Sequence, residues 1–68
     1  PAPRPGPEPL RVLIADGCAP SRAMLAAILT RLGASIVHEA PNGPAAQAVL
    51  QREQIDLAFI DRRLPDFD

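Results

Sequence analysis

The sequence predicts an α/β fold in which parallel strands alternate with helical crossovers in the order βαβαβ. Three short apolar stretches, Val12-Leu13-Ile14-Ala15, Ile36-Val37 and Leu57-Ala58-Phe59-Ile60, are too short for helices and end near polar or turn residues. The segments between them have helical rather than alternating periodicity. Such alternation of element types implies a parallel sheet with right-handed crossovers.

Before the first strand comes Pro1-Ala2-Pro3-Arg4-Pro5-Gly6-Pro7-Glu8-Pro9, in which every second residue is proline. This composition favours extended polyproline II and prevents a regular helix or central strand. Residues 1–9 are therefore expected to be a Pro-rich linker, with a larger protein continuing upstream. Residues 10–68 then form the folding segment. About 60 residues bury only about 60% of their unfolded surface, so one small domain or part of one is the ceiling.

Val12-Leu13-Ile14-Ala15 stops at Asp16-Gly17 and reads as a strand buried on both faces. Leu25, Ile28, Leu29 and Leu32 follow at helical spacing, with Pro20 or Ser21 near the helix start and Gly33 as its stop. Ser35-Ile36-Val37-His38-Glu39 is the second strand. Asn42-Gly43-Pro44 is a turn opening a second helix, with proline placed where its missing N–H costs least. Ala46, Val49 and Leu50 give that helix a narrow apolar face, while Gln47, Gln51 and Gln54 line another side. After Ile55-Asp56 the third strand, Leu57 to Ile60, ends at Asp61.

Composition narrows the function classes. The 68 residues are 47% hydrophobic, enough for a globular segment, but the core must be aliphatic because only two residues are aromatic. Net charge is −1, all seven basic residues are arginine, and no basic cluster marks a nucleic-acid surface. No apolar run approaches the roughly 20 residues of a membrane-spanning helix. The single cysteine, Cys18, excludes an internal disulfide and fits a reducing, cytoplasmic setting.

Chemistry concentrates at two strand ends. In the flavodoxin-like strand order 2-1-3, the first and third strands are neighbours, and ligands bind above their C-terminal ends. Asp16 and Asp61 occupy those ends. One aspartate there is an ordinary loop residue. Two in one crevice repel each other unless a cation is present. Magnesium accepts one or two carboxylates and completes its shell with water and phosphate oxygens. An acidic switch point thus suits Mg²⁺ and a phosphoryl group.

These residues resemble a known family. Leu10-Arg11-Val12-Leu13-Ile14-Ala15-Asp16 resembles the first strand of response-regulator receiver domains, which ends in an acidic pair. Leu57 to Asp68, LAFIDRRLPDFD, resembles the third strand, the phosphoacceptor aspartate and the following proline loop. Glu39 to Ala46 is similar to the stretch opening the second helix. The resemblance covers everything after the proline segment, and it implies the first half of a flavodoxin-like (βα)5 receiver fold. It further implies that Asp61 accepts the phosphoryl group, and that Mg²⁺ is held by Asp16, Asp61 and the backbone carbonyl of Arg63. The implied partners are a histidine kinase or phosphotransfer domain and other domains of the same polypeptide, as in a hybrid histidine kinase or a multidomain response regulator.

The pattern breaks at Gly17, where the family has its second acid. One ligand and one negative charge are lost, so weaker Mg²⁺ binding is expected. The family's later switch hydroxyl and phosphate-binding lysine would fall beyond Asp68. This opens an alternative, a degenerate pseudo-receiver acting through protein contact or a small ligand such as a nucleotide second messenger. A flavodoxin-like cofactor domain is a third class, although Gly17 begins no G-x-G-x-x-G motif. His38-Glu39 superficially resembles a phosphohistidine motif but ends a strand rather than sitting on a helix. Cys18 has no basic partner nearby in sequence to activate it. Arg62 and Arg63 could steer a phosphodonor, although loop arginines are more often solvated.

Overall fold

A computed structural model describes residues 10–64 and residue 66. The linker expected at 1–9, and Pro65, Phe67 and Asp68 of the proline loop, lie outside the described residues. The elements are β1 (Leu10–Ala15), α1 (Ala19–Arg31), β2 (Ala34–Ala40), α2 (Gly43–Arg52) and β3 (Leu57–Ile60). The sheet is parallel with order β2-β1-β3 and is consistent with part of a flavodoxin-like fold.

β1 is the central strand, and Val12, Leu13, Ile14 and Ala15 are all buried. Side chains alternate across a strand, so β1 supplies two cores. Leu13 and Ala15 join Ala40, Ala46, Val49 and Leu64 on the α2 side. Val12 and Ile14 join Ala34, with Leu25, Ala26 and Leu29 of α1 packed against them. The crossovers from β1 to β2 and from β2 to β3 run in opposite directions across the sheet. With one handedness for both, they deliver the helices to opposite faces.

Helix ends follow local chemistry. The Asn42 side chain accepts a hydrogen bond from the Ala45 amide at 2.9 Å and caps α2, with Pro44 in the first turn. Gly33 ends α1 with φ of 116°, a conformation glycine adopts without a Cβ penalty. α1 begins two residues before Ser21, and its N-cap, Cys18, makes no side-chain capping bond. β2 extends one residue beyond the expected strand at each end, because register with β1 runs from Ala34 through Ala40.

One expectation needs correction. The α1 stripe is only half used: Leu25 and Leu29 pack on the sheet, whereas Ile28 and Leu32 are 46% and 78% exposed. α1 lies over β1 and β2, so the part of its stripe turned from them meets no strand. All four residues of β3 are exposed despite a run as apolar as that of β1, because neither helix packs over this edge strand. Reciprocal bonds fix its start: the Asp56 amide donates to the Arg11 carbonyl at 2.8 Å, and the Arg11 amide to Asp56 Oδ2 at 2.8 Å.

Candidate functional site

The register places the two strand-end aspartates side by side. Ala15 pairs with Ile60, and the next residues are Asp16 and Asp61. The Asp61 amide donates to the Ala15 carbonyl at 2.9 Å, and the Asp16 amide to the Ala40 carbonyl at 3.0 Å. Each carboxylate therefore departs from backbone that the sheet still holds. Both line one open crevice of about 300 Å³ at the C-terminal edge of β1 and β3. Ile14, Leu25 and Phe59 form its apolar lining, and Asp16, Asp61 and Arg63 its polar one.

Each aspartate is also fixed by the loop that follows it. Asp16 Oδ1 accepts the Cys18 amide at 2.9 Å, which leaves Oδ2 for another ligand. Asp61 Oδ1 accepts the Arg63 amide at 2.9 Å. The Leu64 amide then donates to the Asp61 carbonyl at 2.9 Å, and the buried Leu64 side chain anchors this turn in the α2-side core.

The Arg63 side chain has a part the sequence did not suggest. Its Nε and Nη2 lie 3.4 Å from Oδ1 and Oδ2 of Asp61, while the side chain stays 87% exposed. The Arg63 amide foremost, then its guanidinium, holds the Asp61 carboxyl below the usual carboxylate range. The same contact pushes the Arg63 guanidinium up. Arg62 is exposed and makes no such pair among the described residues.

Sequence reading missed Arg22 and Glu39. Arg22 Nη1 donates to the Asp16 carbonyl at 2.8 Å, and its Nε donates to Glu39 Oε1 at 3.2 Å. A signal was present, because a cation near a helix N-terminus opposes the helix dipole and needs an acceptor. Cys18 is likewise less inert than expected. The Ser21 hydroxyl donates to its Sγ at 3.3 Å, and this bond lowers the exposed thiol's pKa. His38 lies inside β2, opposite Leu13, and not at the crevice.

Among the described residues, no group of three His, Cys, Asp or Glu side chains is placed to hold a metal ion. The crevice offers two carboxylates instead. Two hard oxygen ligands suit Mg²⁺, which retains waters and takes its remaining ligands from backbone or phosphate oxygens. They do not suit a structural zinc site, which needs four protein ligands. Gly17, beside Asp16, adds no donor, and its nearest neighbour is the Pro41 carbonyl, 3.6 Å from where a Cβ would stand.

No helix among the described residues is long and apolar enough to cross a membrane. Comparison with protein-family models, curated proteins and solved structures finds no match to this chain.

Proposed function

We propose that the chain is the phosphoaccepting part of a receiver domain in a two-component phosphorelay, with Asp61 as nucleophile. The observation that carries this reading is the shared crevice of Asp16 and Asp61 at the ends of adjacent parallel strands. In an open α/β sheet this is where ligands bind. An Asp61 carboxylate oxygen attacks phosphorus, the new O–P bond forms, and the bond to the donor breaks. The electron pair leaves with the donor, an imidazole nitrogen of a phosphohistidine partner or a carboxylate from a small acyl phosphate. Phosphoryl transfer needs little covalent help beyond positioning and charge neutralisation.

Asp16, Asp61 and the Arg63 carbonyl are the residues that would hold Mg²⁺. Bound there, the ion supplies positive charge for the phosphoryl oxygens. Asp61 is a carboxylate at neutral pH, as an ordinary aspartate is, and the Arg63 amide and guanidinium favour that form further. The exposed guanidinium can move from the carboxylate to a phosphoryl oxygen, which it matches in geometry. The apolar lining by Ile14, Leu25 and Phe59 limits water on one side of the reacting group. Partners on this reading are a histidine kinase or phosphotransfer domain and further domains of the same polypeptide.

Gly17 favours a second reading, a pseudo-receiver that signals through contact or a small ligand, because it removes an acid from the crevice. One experiment separates the two. With Mg²⁺ and acetyl phosphate, the chain should gain one acid-stable, base-labile acyl phosphate, and Asp61→Asn should abolish it. A chain that stays unlabelled yet still alters a partner's activity moves the assignment to the pseudo-receiver.

A further inference from the structure

Asp16 sits in a loop whose next residue, Gly17, has the fewest conformational restraints of any amino acid. A carboxylate on such a loop spreads over many positions unless the backbone is tied down. We infer that Arg22 is a positioning residue that clamps the Asp16 loop to the end of β2, an inference that rests on reading the crevice as a metal and phosphoryl site.

The geometry is a two-sided tie. The amide of Asp16 is held directly by the Ala40 carbonyl of β2 at 3.0 Å. Its carbonyl is held indirectly: Arg22 Nη1 reaches it at 2.8 Å while Nε of the same guanidinium reaches Glu39 of β2 at 3.2 Å. The Arg22 side chain is only 17% exposed and its bond to the Asp16 carbonyl is part-buried, whereas the Glu39 end of the tie is open to water. Glu39 supplies the counter-charge that α1 lacks, since its first turn has no acidic residue. Two acceptors in different directions suit the planar, multi-donor guanidinium, and a lysine ammonium cannot reproduce that fork. With both backbone groups fixed, Oδ1 bonded to the Cys18 amide leaves Oδ2 in one defined place.

Partners that orient a metal-binding carboxylate typically matter ten- to a hundred-fold in metal affinity. Three variants test the clamp: Arg22→Met, Arg22→Lys and Arg22→Met combined with Gly17→Ala. Alanine at 17 meets only ordinary contact, 3.6 Å to the Pro41 carbonyl, and narrows the loop's freedom. The measurements are amide hydrogen exchange at Gly17 and Cys18, and Mg²⁺ titration of samples that circular dichroism shows to be folded. Arg22→Met should speed exchange at both amides and weaken Mg²⁺ binding roughly ten-fold. Arg22→Lys should fall between, and it serves if the methionine variant does not fold. Added Gly17→Ala should recover part of the lost affinity.

A purely structural Arg22 would lower the melting temperature while leaving Mg²⁺ affinity of the folded molecules unchanged, and that result overturns the inference. Unchanged exchange at Gly17 and Cys18 overturns it as well. Faster exchange in Arg22→Met, from a parent chain that binds no Mg²⁺, would instead overturn the metal-site reading and leave the loop clamp standing.

Discussion

The Arg63 amide donates to Oδ1 of Asp61 at 2.9 Å while the guanidinium of the same residue lies 3.4 Å from both carboxylate oxygens. The carboxylate proposed as nucleophile and its counter-ion are thus two residues apart on one turn. A divalent cation approaching Asp61 must displace or accommodate this guanidinium.

Arg63→Ala separates the two contributions, because alanine keeps the amide bond and loses the charge. The Asp61 pKa should rise part of the way back to the ordinary range, since the amide is the larger cause of its lowering. An NMR titration of the Asp61 carboxyl reads this directly. Mg²⁺ should bind more tightly to the variant, as the competing cation is gone. The sign of the stability effect also follows. A lowered folded-state pKa contributes stability that is present above the unfolded value and lost as pH falls through the folded one. The parent chain should therefore lose more stability than Arg63→Ala on acidification below the normal aspartate range. Identical titrations in both forms would remove the guanidinium from the account.

Asp56→Ala tests what holds the strand that ends at Asp61. The Asp56 carboxylate accepts the Arg11 amide at 2.8 Å and the Arg11 guanidinium at 3.2 Å. Removing it leaves the Arg11 amide of the central strand β1 without that acceptor where β3 begins. The expected loss is about 1–2 kcal/mol in urea unfolding, with faster amide exchange through Leu57 to Ile60. A loss confined to surface ion-pair size would show that β3 is held by its pairing with β1 alone.

Much of this fold can be read from the sequence, and the exceptions have a common cause. Val12 to Ala15 and Leu57 to Ile60 are equally apolar, yet the first is buried and the second exposed. A run of apolar residues encodes a strand but not whether helices cover its faces. The same applies to α1, where Leu25 and Leu29 find the sheet and Ile28 and Leu32 do not. Asp16 and Asp61 were legible because each ends an apolar run. Arg22 and Glu39 are 17 residues apart and meet only through strand register, a relation that local periodicity does not carry. Arg63 was legible by position alone, since no pattern tells which way an exposed guanidinium turns.

Cys18 offers a readout of the loop independent of any metal. Its thiol pKa is lowered chiefly by the Ser21 hydroxyl, so more thiolate is present at a given pH than in an unperturbed cysteine. Iodoacetamide should alkylate Cys18 faster at neutral pH in the parent chain than in Ser21→Ala. The difference should shrink at alkaline pH, where both thiols are ionised. Equal rates at neutral pH would mean that the hydroxyl bond does not persist in solution.

Gly17→Asp asks whether the crevice accepts a third acid. Position 17 tolerates a side chain: a Cβ meets nothing nearer than the Pro41 carbonyl at 3.6 Å, and the backbone there is not left-handed. The added carboxylate would follow Asp16 directly, on the loop that borders Asp61's crevice. Three like charges in one place repel, so the metal-free variant should melt below the parent chain. A cation reverses the sign, because a ligand at free concentration L that binds only the folded state stabilises it by RT ln(1 + L/Kd), which keeps growing with concentration. Rising Mg²⁺ should therefore close the gap in melting temperature and then invert it, with affinity improved roughly ten-fold by the extra charged ligand. The inversion is the decisive feature, because a simple steric defect at position 17 would persist at every Mg²⁺ concentration. Equal or weaker Mg²⁺ binding in the variant would show that position 17 does not face the metal and would overturn the matching of Gly17 to the family's second acid.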